Sequence, residues 1–221
     1  MDTRAEAPID AQKRLAGTEA VDAYVRDGMC VGLGTGTTAY WAIRRVGERV
    51  REGWRLTAVA TSLGTERLCT EFGVPLVPLL ERPIDVAIDG ADEVDGERRL
   101  IKGGGGALFR EKSVALVAER FVVIVTQNKV VERLGAFPLP VEVVPFARTY
   151  VERAIHALGG EPQARLAAAG GPFVTDNGNA ILDCRFGAID DPAMLEAALK
   201  RVHGVVESGL FVGLVDDLVI R

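Results

Sequence analysis

The sequence predicts an α/β protein. A Rossmann-like, mainly parallel sheet is covered by helices on both faces, and a small α+β domain of split βαβ, ferredoxin-like order is inserted before the last strand. Three observations carry this. The apolar runs in MCVGLG, DVAID and FVVIVT are continuous rather than alternating, as strands buried on both faces must be. Amphipathic stretches separate them, which gives the β-α alternation of a parallel sheet. From PLPVEVVPFA onward the order changes to β-α-β-β-α-β. With 221 residues and 48% hydrophobic content, the chain can bury one ordinary core and a smaller satellite.

Taken in order, a helix from about Asp10 to Arg26 stops at Gly28, a natural C-terminal signal. The strand MCVGLG follows, then a helix from about Thr37 to Arg51 with Ala39, Ala42, Ile43, Val46 and Val50 on one face. A strand LTAVAT, a helix near Thr65 to Phe72, a short strand near VPLV and the strand DVAID come next. A helix carrying Glu111 leads to FVVIVT. In the second half, a strand is followed by a helix (about Thr149 to Leu158) and a strand (about Ala164 to Ala168). Asn177-Gly178 then supplies a hairpin signal. The next helix has Asp191 as N-cap, Pro192 in its first turn and Gly204 past its end. A strand VVESGLF and a final run LVI complete the chain. Residues 1–136 and 208–221 are assigned to the large domain and 137–207 to the small one.

A net charge of −5 gives no general attraction to nucleic acid or to acidic membrane surfaces. The N-terminal stretch MDTRAEAPIDAQKRLAG mixes acids and bases without an apolar signal core. No apolar run approaches the ~18 residues of a membrane span, and a soluble, cytoplasmic protein is expected. Cys30, Cys69 and Cys184 are far apart and show no CxxC spacing, which argues against disulfides and zinc and for buried thiols. With only His156 and His203 available, acid–base chemistry falls to carboxylates, lysines and hydroxyls.

Three polar, glycine-containing segments follow strands, and in an open parallel sheet the carboxyl ends of the strands form the ligand crevice. The first is GTGTTA, where Thr35, Gly36, Thr37 and Thr38 open a helix whose N–H groups suit an anion. It also satisfies the dinucleotide fingerprint, but Thr61-Ser62 stands where the ribose-binding acid belongs, so a monophosphate fits better. A purely structural tight turn is the plain alternative. The second, DGADEVD, holds Asp89, Gly90, Ala91 and Asp92. A solvated turn or a metal cluster would also use these acids, although the spacing is not that of an EF-hand loop. The third, LIKGGGGALFREK, places Lys102 before Gly103, Gly104, Gly105 and Gly106, with Glu111 beyond them. Such a run is either a slack hinge or bare backbone whose N–H groups converge on developing negative charge. Lys129 follows FVVIVT at the same edge, where a solvated lysine is the ordinary reading.

GTGTTA, TSLGTE, DGADEVD, LIKGGGGALFREK, K-x-x-x-x-LG, PLPVEV and VTDNGNAILD, in this order, resemble the type A ribose-5-phosphate isomerase family over most of the chain. The resemblance implies interconversion of ribose 5-phosphate and ribulose 5-phosphate through a cis-enediolate. Glu111 would be the base. Lys102 with the N–H groups of Gly103, Gly104 and Gly105 would stabilise the enediolate oxygen. Asp89 and Asp92, beside Gly90 and Ala91, would bind sugar hydroxyls and help ring opening. Thr35, Gly36, Thr37, Thr38 and Lys129 would hold the 5-phosphate; Thr37 stands where the family commonly has serine, and a hydroxyl donor is kept. No metal or organic cofactor is implied, the partner is a pentose 5-phosphate, and a homodimer is implied. Two other classes fit parts of this pattern. A non-catalytic sugar-phosphate sensor would usually carry a DNA-binding module, for which the segment before GTGTTA offers one helix and no basic element. A CoA-transferase-like enzyme would use Glu111 as nucleophile and form a glutamyl adduct.

Overall fold

The computed structural model describes residues 8–221, and residues 1–7 of the N-terminal stretch read above lie outside them. In chain order the elements are α1 (Pro8–Tyr24), β1 (Cys30–Leu33), α2 (Ala39–Arg51), β2 (Thr57–Ala60), α3 (Leu63–Phe72) and β3 (Val86–Asp89). They continue with β4 (Glu93–Val94), β5 (Leu100–Ile101), α4 (Leu108–Val117), β6 (Phe121–Val125), β7 (Leu139–Val143) and α5 (Arg148–Ala157). The last are β8 (Glu161–Ala164), β9 (Ala180–Arg185), α6 (Pro192–Lys200), β10 (Val205–Ser208), β11 (Leu210–Phe211) and β12 (Asp217–Ile220). Among the described residues no helix is long and apolar enough to cross a membrane.

The chain forms two units. The first comprises the residues up to Gly90 together with Val114–Lys129 and Val215–Arg221. Its sheet has the order β12-β6-β3-β1-β2, with every neighbouring pair parallel. The continuous apolar runs sit at its centre, where β1, β3 and β6 are buried along their whole length. α2 buries Ala39, Ala42, Ile43 and Val46, the stripe its spacing predicts. α1 contributes Ala16, Ala20 and Val21 to the same core, and Val25 just past its end joins them. VPLV does not become a strand. Only Ala58 and Leu76 bridge, because Pro75 and Pro78 have no N–H with which to extend the ladder.

The second unit comprises Ala91–Ser113 and Val130–Leu214. Its four-stranded antiparallel sheet, in the order β10-β7-β9-β8 with α5 and α6 as crossovers, is the ferredoxin-like arrangement. A second antiparallel sheet, β11-β5-β4, is absent from the sequence reading. Its strands are two residues each, too short for a periodic signal. VVESGLF divides at Gly209 into β10 and β11, so that it joins both sheets. A side chain at Gly209 would collide with the Lys102 carbonyl, and the Lys102 N–H donates to the Gly209 carbonyl at 2.8 Å. Ala91–Ser113 and the segments flanking β7–β10 belong to the second unit with these short pairings, whereas the sequence suggests a small domain of residues 137–207.

Two other details differ from expectation. β8 lies earlier than Ala164–Ala168, because its register on β9 runs from Glu161 opposite Arg185 to Ala164 opposite Leu182, and the chain then turns away. Asn177-Gly178 does form a turn, closed by Thr175 and Asn179 through their backbone, but no strand precedes it. The side chains of Thr175, Asn177 and Asn179 instead all donate to Oε1 of the fully buried Glu142.

Charge is also buried here. Lys112 Nζ donates to Glu207 Oε1 at 2.8 Å and Glu196 Oε1 at 2.6 Å, with 6% of the lysine side chain exposed. Burial alone would push the Glu207 carboxyl up; the Lys112 charge, the bonds from Lys112 and Lys200 and the Ser208 N–H outweigh it and hold the group below its ordinary value. Its contribution to stability is therefore present above the ordinary carboxylate range and is lost as pH falls through the lowered value. Replacing Lys112 with Met would leave Glu207 buried without its main partner. The expected loss is about 3–5 kcal/mol in a urea titration at neutral pH. A loss below about 1 kcal/mol would mean that the pair is screened like a surface bridge.

Candidate active site

In the first unit, β1 ends where the chain turns tightly past β3. The Gly34 N–H donates to the Ile88 carbonyl at 3.0 Å, and a Cβ at Gly34 would overlap the Asp89 carboxylate. Asp89, the last residue of β3 and 3% exposed, accepts at Oδ1 from the Thr35 N–H (3.2 Å) and the Gly90 N–H (2.7 Å). Two backbone donors on one oxygen fix the carboxylate and tie the GTGTT loop to the DGAD turn. Gly34→Ala should accordingly cost about 1–3 kcal/mol by overpacking. An unchanged urea midpoint would show that Asp89 can move aside freely.

Thr35 differs from its neighbours. Its hydroxyl lies among Thr61 Oγ1 (2.9 Å), Ser62 Oγ (2.8 Å) and Thr65 Oγ1 (3.1 Å), while Thr65 Oγ1 donates to the Gly34 carbonyl at 2.8 Å. The polar groups of Thr35 are therefore engaged by residues behind the loop. Gly36 and Thr37 are exposed, and Thr38 caps α2 without a side-chain cap bond. Thr61, Ser62 and Thr65, which support the loop from behind, carried no assigned role in the sequence reading. The available signal was Ser62 as the N-cap of α3, where it accepts from the Thr65 N–H at 3.0 Å. Lys129 is half-buried in the turn after β6. A Cβ at Gly90 would lie 3.9 Å from Thr38 Cβ, so Gly90 packs beside the start of α2.

In the second unit, Ala91 is half-buried, and Asp92 is anchored by its N–H to the Ile101 carbonyl at 2.8 Å. Asp92 Oδ2 accepts from the Gly104 N–H at 2.7 Å. The glycine run is a fixed turn rather than a hinge. Gly103 and Gly106 have φ of +99° and +82°, values that other residues rarely adopt, and the Gly106 N–H donates to the Gly103 carbonyl at 2.9 Å. Gly103 is buried, Gly104 and Gly105 are exposed, and a Cβ at Gly104 would reach 2.6 Å from Asp92.

The turn separates Lys102 from Glu111 in sequence and brings them together in space. Lys102 Nζ lies 3.3 Å from Glu111 Oε2, with 2% and 3% of the side chains exposed. The Lys102 ammonium also lies 5.5 Å from the centre of the Phe211 ring, and Lys112 lies 5.0 Å from the same ring. Among the described residues no group of three or more His, Cys, Asp or Glu is placed to hold a metal ion.

A carboxylate in contact with an ammonium, both out of water and next to a glycine turn, is an arrangement that an α/β enzyme of the proton-moving class can use. Residues 57–221 match the family described as ribose 5-phosphate isomerase A (phosphoriboisomerase A). A ribose-5-phosphate isomerase A of Sphingopyxis alaskensis is 48% identical over 211 residues, or 95% of this chain and 92% of the relative. The structure of ribose 5-phosphate isomerase A from Methanocaldococcus jannaschii is similar at a TM-score of 0.92 and 44% identity, covering 96% of this chain and 94% of that one. A D-ribose-5-phosphate isomerase in complex with phospho-erythronic acid is similar at a TM-score of 0.93 and 36% identity, covering 97% of this chain and 96% of that one. The chain belongs to the ribose 5-phosphate isomerase A family.

Proposed function

We propose that the chain interconverts D-ribose 5-phosphate and D-ribulose 5-phosphate through a cis-enediolate, in the non-oxidative pentose phosphate pathway. The observation that carries this reading is the buried contact of Lys102 with Glu111. Moving a proton between adjacent sugar carbons needs one base that takes it and gives it back, and a positive group beside the oxygen that gains charge. Glu111 serves as the base between C2 and C1, and Lys102 stabilises the enediolate oxygen. Phospho-erythronic acid, found on a similar isomerase, supports the reading. Its planar carboxylate resembles an enediolate in shape and charge, and its phosphate corresponds to that of the sugar.

Asp92 binds sugar hydroxyls with its carboxylate fixed by the Gly104 N–H, and Asp89 assists ring opening. Gly36, Thr37 and Thr38 with Lys129 hold the 5-phosphate, and Thr35 braces that loop. Holding the non-reacting phosphate fixes the register of the sugar for proton transfer. The same proposal places the enzyme in the cytoplasm as a homodimer, a state that light scattering on the purified chain would test. The function is tested by incubating the chain with ribose 5-phosphate in the presence of EDTA and no added cofactor. Ribulose 5-phosphate should form; its absence would sink the reading.

A further inference from the structure

Arg165, in the stretch leaving β8, reaches the glycine turn. Its Nη1 donates to the Gly103 carbonyl at 2.9 Å and to the Gly104 carbonyl at 3.1 Å. Its Nε and Nη2 pair with both oxygens of Asp183, the Nε bond being 2.9 Å. Asp183 lies on β9 between Pro140 of β7 and Gln163 of β8, so the guanidinium is held from the middle of the ferredoxin-like sheet. The Arg165 Cζ lies 5.6 Å from the centre of the Phe173 ring, and that ring occupies the space a side chain at Gly106 would need.

This arrangement fixes direction as well as position. In a trans peptide the C=O and the following N–H point opposite ways. The Gly103 carbonyl shares its plane with the Gly104 N–H, and the Gly104 carbonyl shares its plane with the Gly105 N–H. One guanidinium nitrogen holds both carbonyls, so both N–H groups face away from Arg165. The N–H of Gly104 accordingly meets Asp92 Oδ2. The N–H of Gly105, an exposed residue, is by the same clamp directed away from the guanidinium.

We infer that Arg165 is a positioning residue for the isomerisation: it sets the two peptide planes so that the Gly105 N–H is a preset donor to the enediolate oxygen and Asp92 is held ready for a sugar hydroxyl. The inference rests on the isomerase reading above. An arginine is required because one planar group must grip a carboxylate with two nitrogens and two carbonyls with a third. A lysine keeps the charge but cannot hold all four acceptors in that geometry.

The test compares Arg165→Lys and Arg165→Ala with wild type for kcat, KM and binding of two probes, phospho-erythronic acid and inorganic phosphate. Misplacing an oxyanion donor lowers kcat by about 10–100-fold. KM for ribose 5-phosphate rises by a smaller factor than kcat falls, because Asp92 loses part of its hold on a sugar hydroxyl while the GTGTT loop is untouched. Affinity for phospho-erythronic acid falls in step with kcat, and affinity for inorganic phosphate does not change. A merely structural role would lower stability without this split. The positioning role is overturned if folded Arg165→Lys keeps kcat within twofold of wild type, or if the two probe affinities fall together. Should Arg165→Ala fail to fold, Arg165→Lys decides the matter. A wild-type chain that forms no ribulose 5-phosphate would overturn the isomerase reading itself, and this inference with it.

Discussion

Replacing Glu111 with glutamine is expected to lower turnover of ribose 5-phosphate by about 10²–10⁴-fold, the usual contribution of a positioned base. The change removes one proton-accepting group and almost no volume. The neutral amide can still fill the site and accept from Lys102, so the fold should persist with some loss of stability from the uncompensated ammonium, and phosphate binding should persist because the phosphate loop belongs to different elements altogether. Steady-state kinetics with a parallel binding assay for inorganic phosphate would check both halves. Near wild-type turnover would remove Glu111 from the chemistry. Lost phosphate binding would instead point to a general collapse.

Replacement of Lys102 carries the second large effect. Alanine at this position leaves the Glu111 carboxylate buried without the ammonium at 3.3 Å. Breaking a buried pair by deleting one member costs about 3–5 kcal/mol of stability if the other stays charged. The carboxyl can escape that cost by taking up a proton, which disables it as a base. Loss of the oxyanion donor and impairment of the base therefore act together, and kcat should fall by about 10²–10³-fold or more. Because the two residues work as one unit, the double variant Lys102→Ala, Glu111→Gln should be little worse than the weaker single variant. An effect of Lys102→Ala confined to KM would place the lysine on ground-state binding instead.

Much of the fold is legible in the sequence because its signals are local. The α2 stripe of Ala39, Ala42, Ile43 and Val46 and the continuous runs of β1, β3 and β6 each follow from period and burial. Asp191 caps α6 as read, accepting from the Met194 N–H at 2.9 Å. What is not legible depends on partners distant in sequence. β5 pairs with β4 on one side and with the returning β11 on the other, and two-residue strands carry no pattern of their own. TDNGN reads as a hairpin turn, yet the side chains of Thr175, Asn177 and Asn179 converge on Glu142, a residue more than thirty positions earlier.

The same division runs through the candidate site. Lys102 and Glu111 stand out by residue type around an unusual glycine run, and the structure brings them into contact. The inward turn of the Thr35 hydroxyl could not be read from GTGTTA alone, because Thr61 and Ser62 come from the connection between β2 and α3, and Thr65 from the first turn of α3. Nor could the grip of Arg165 on the Gly103 and Gly104 carbonyls, some sixty positions away, since an arginine near a run of alanines reads as surface.

The most direct test of the account is proton NMR of ribose 5-phosphate in D₂O with EDTA, comparing the wild-type chain with Glu111→Gln. The account predicts that the wild type forms ribulose 5-phosphate, part of it carrying solvent deuterium at C1, while the variant leaves the C2 proton in place. It would be contradicted by a wild type that forms no ketose, or by a variant that forms it at a near wild-type rate.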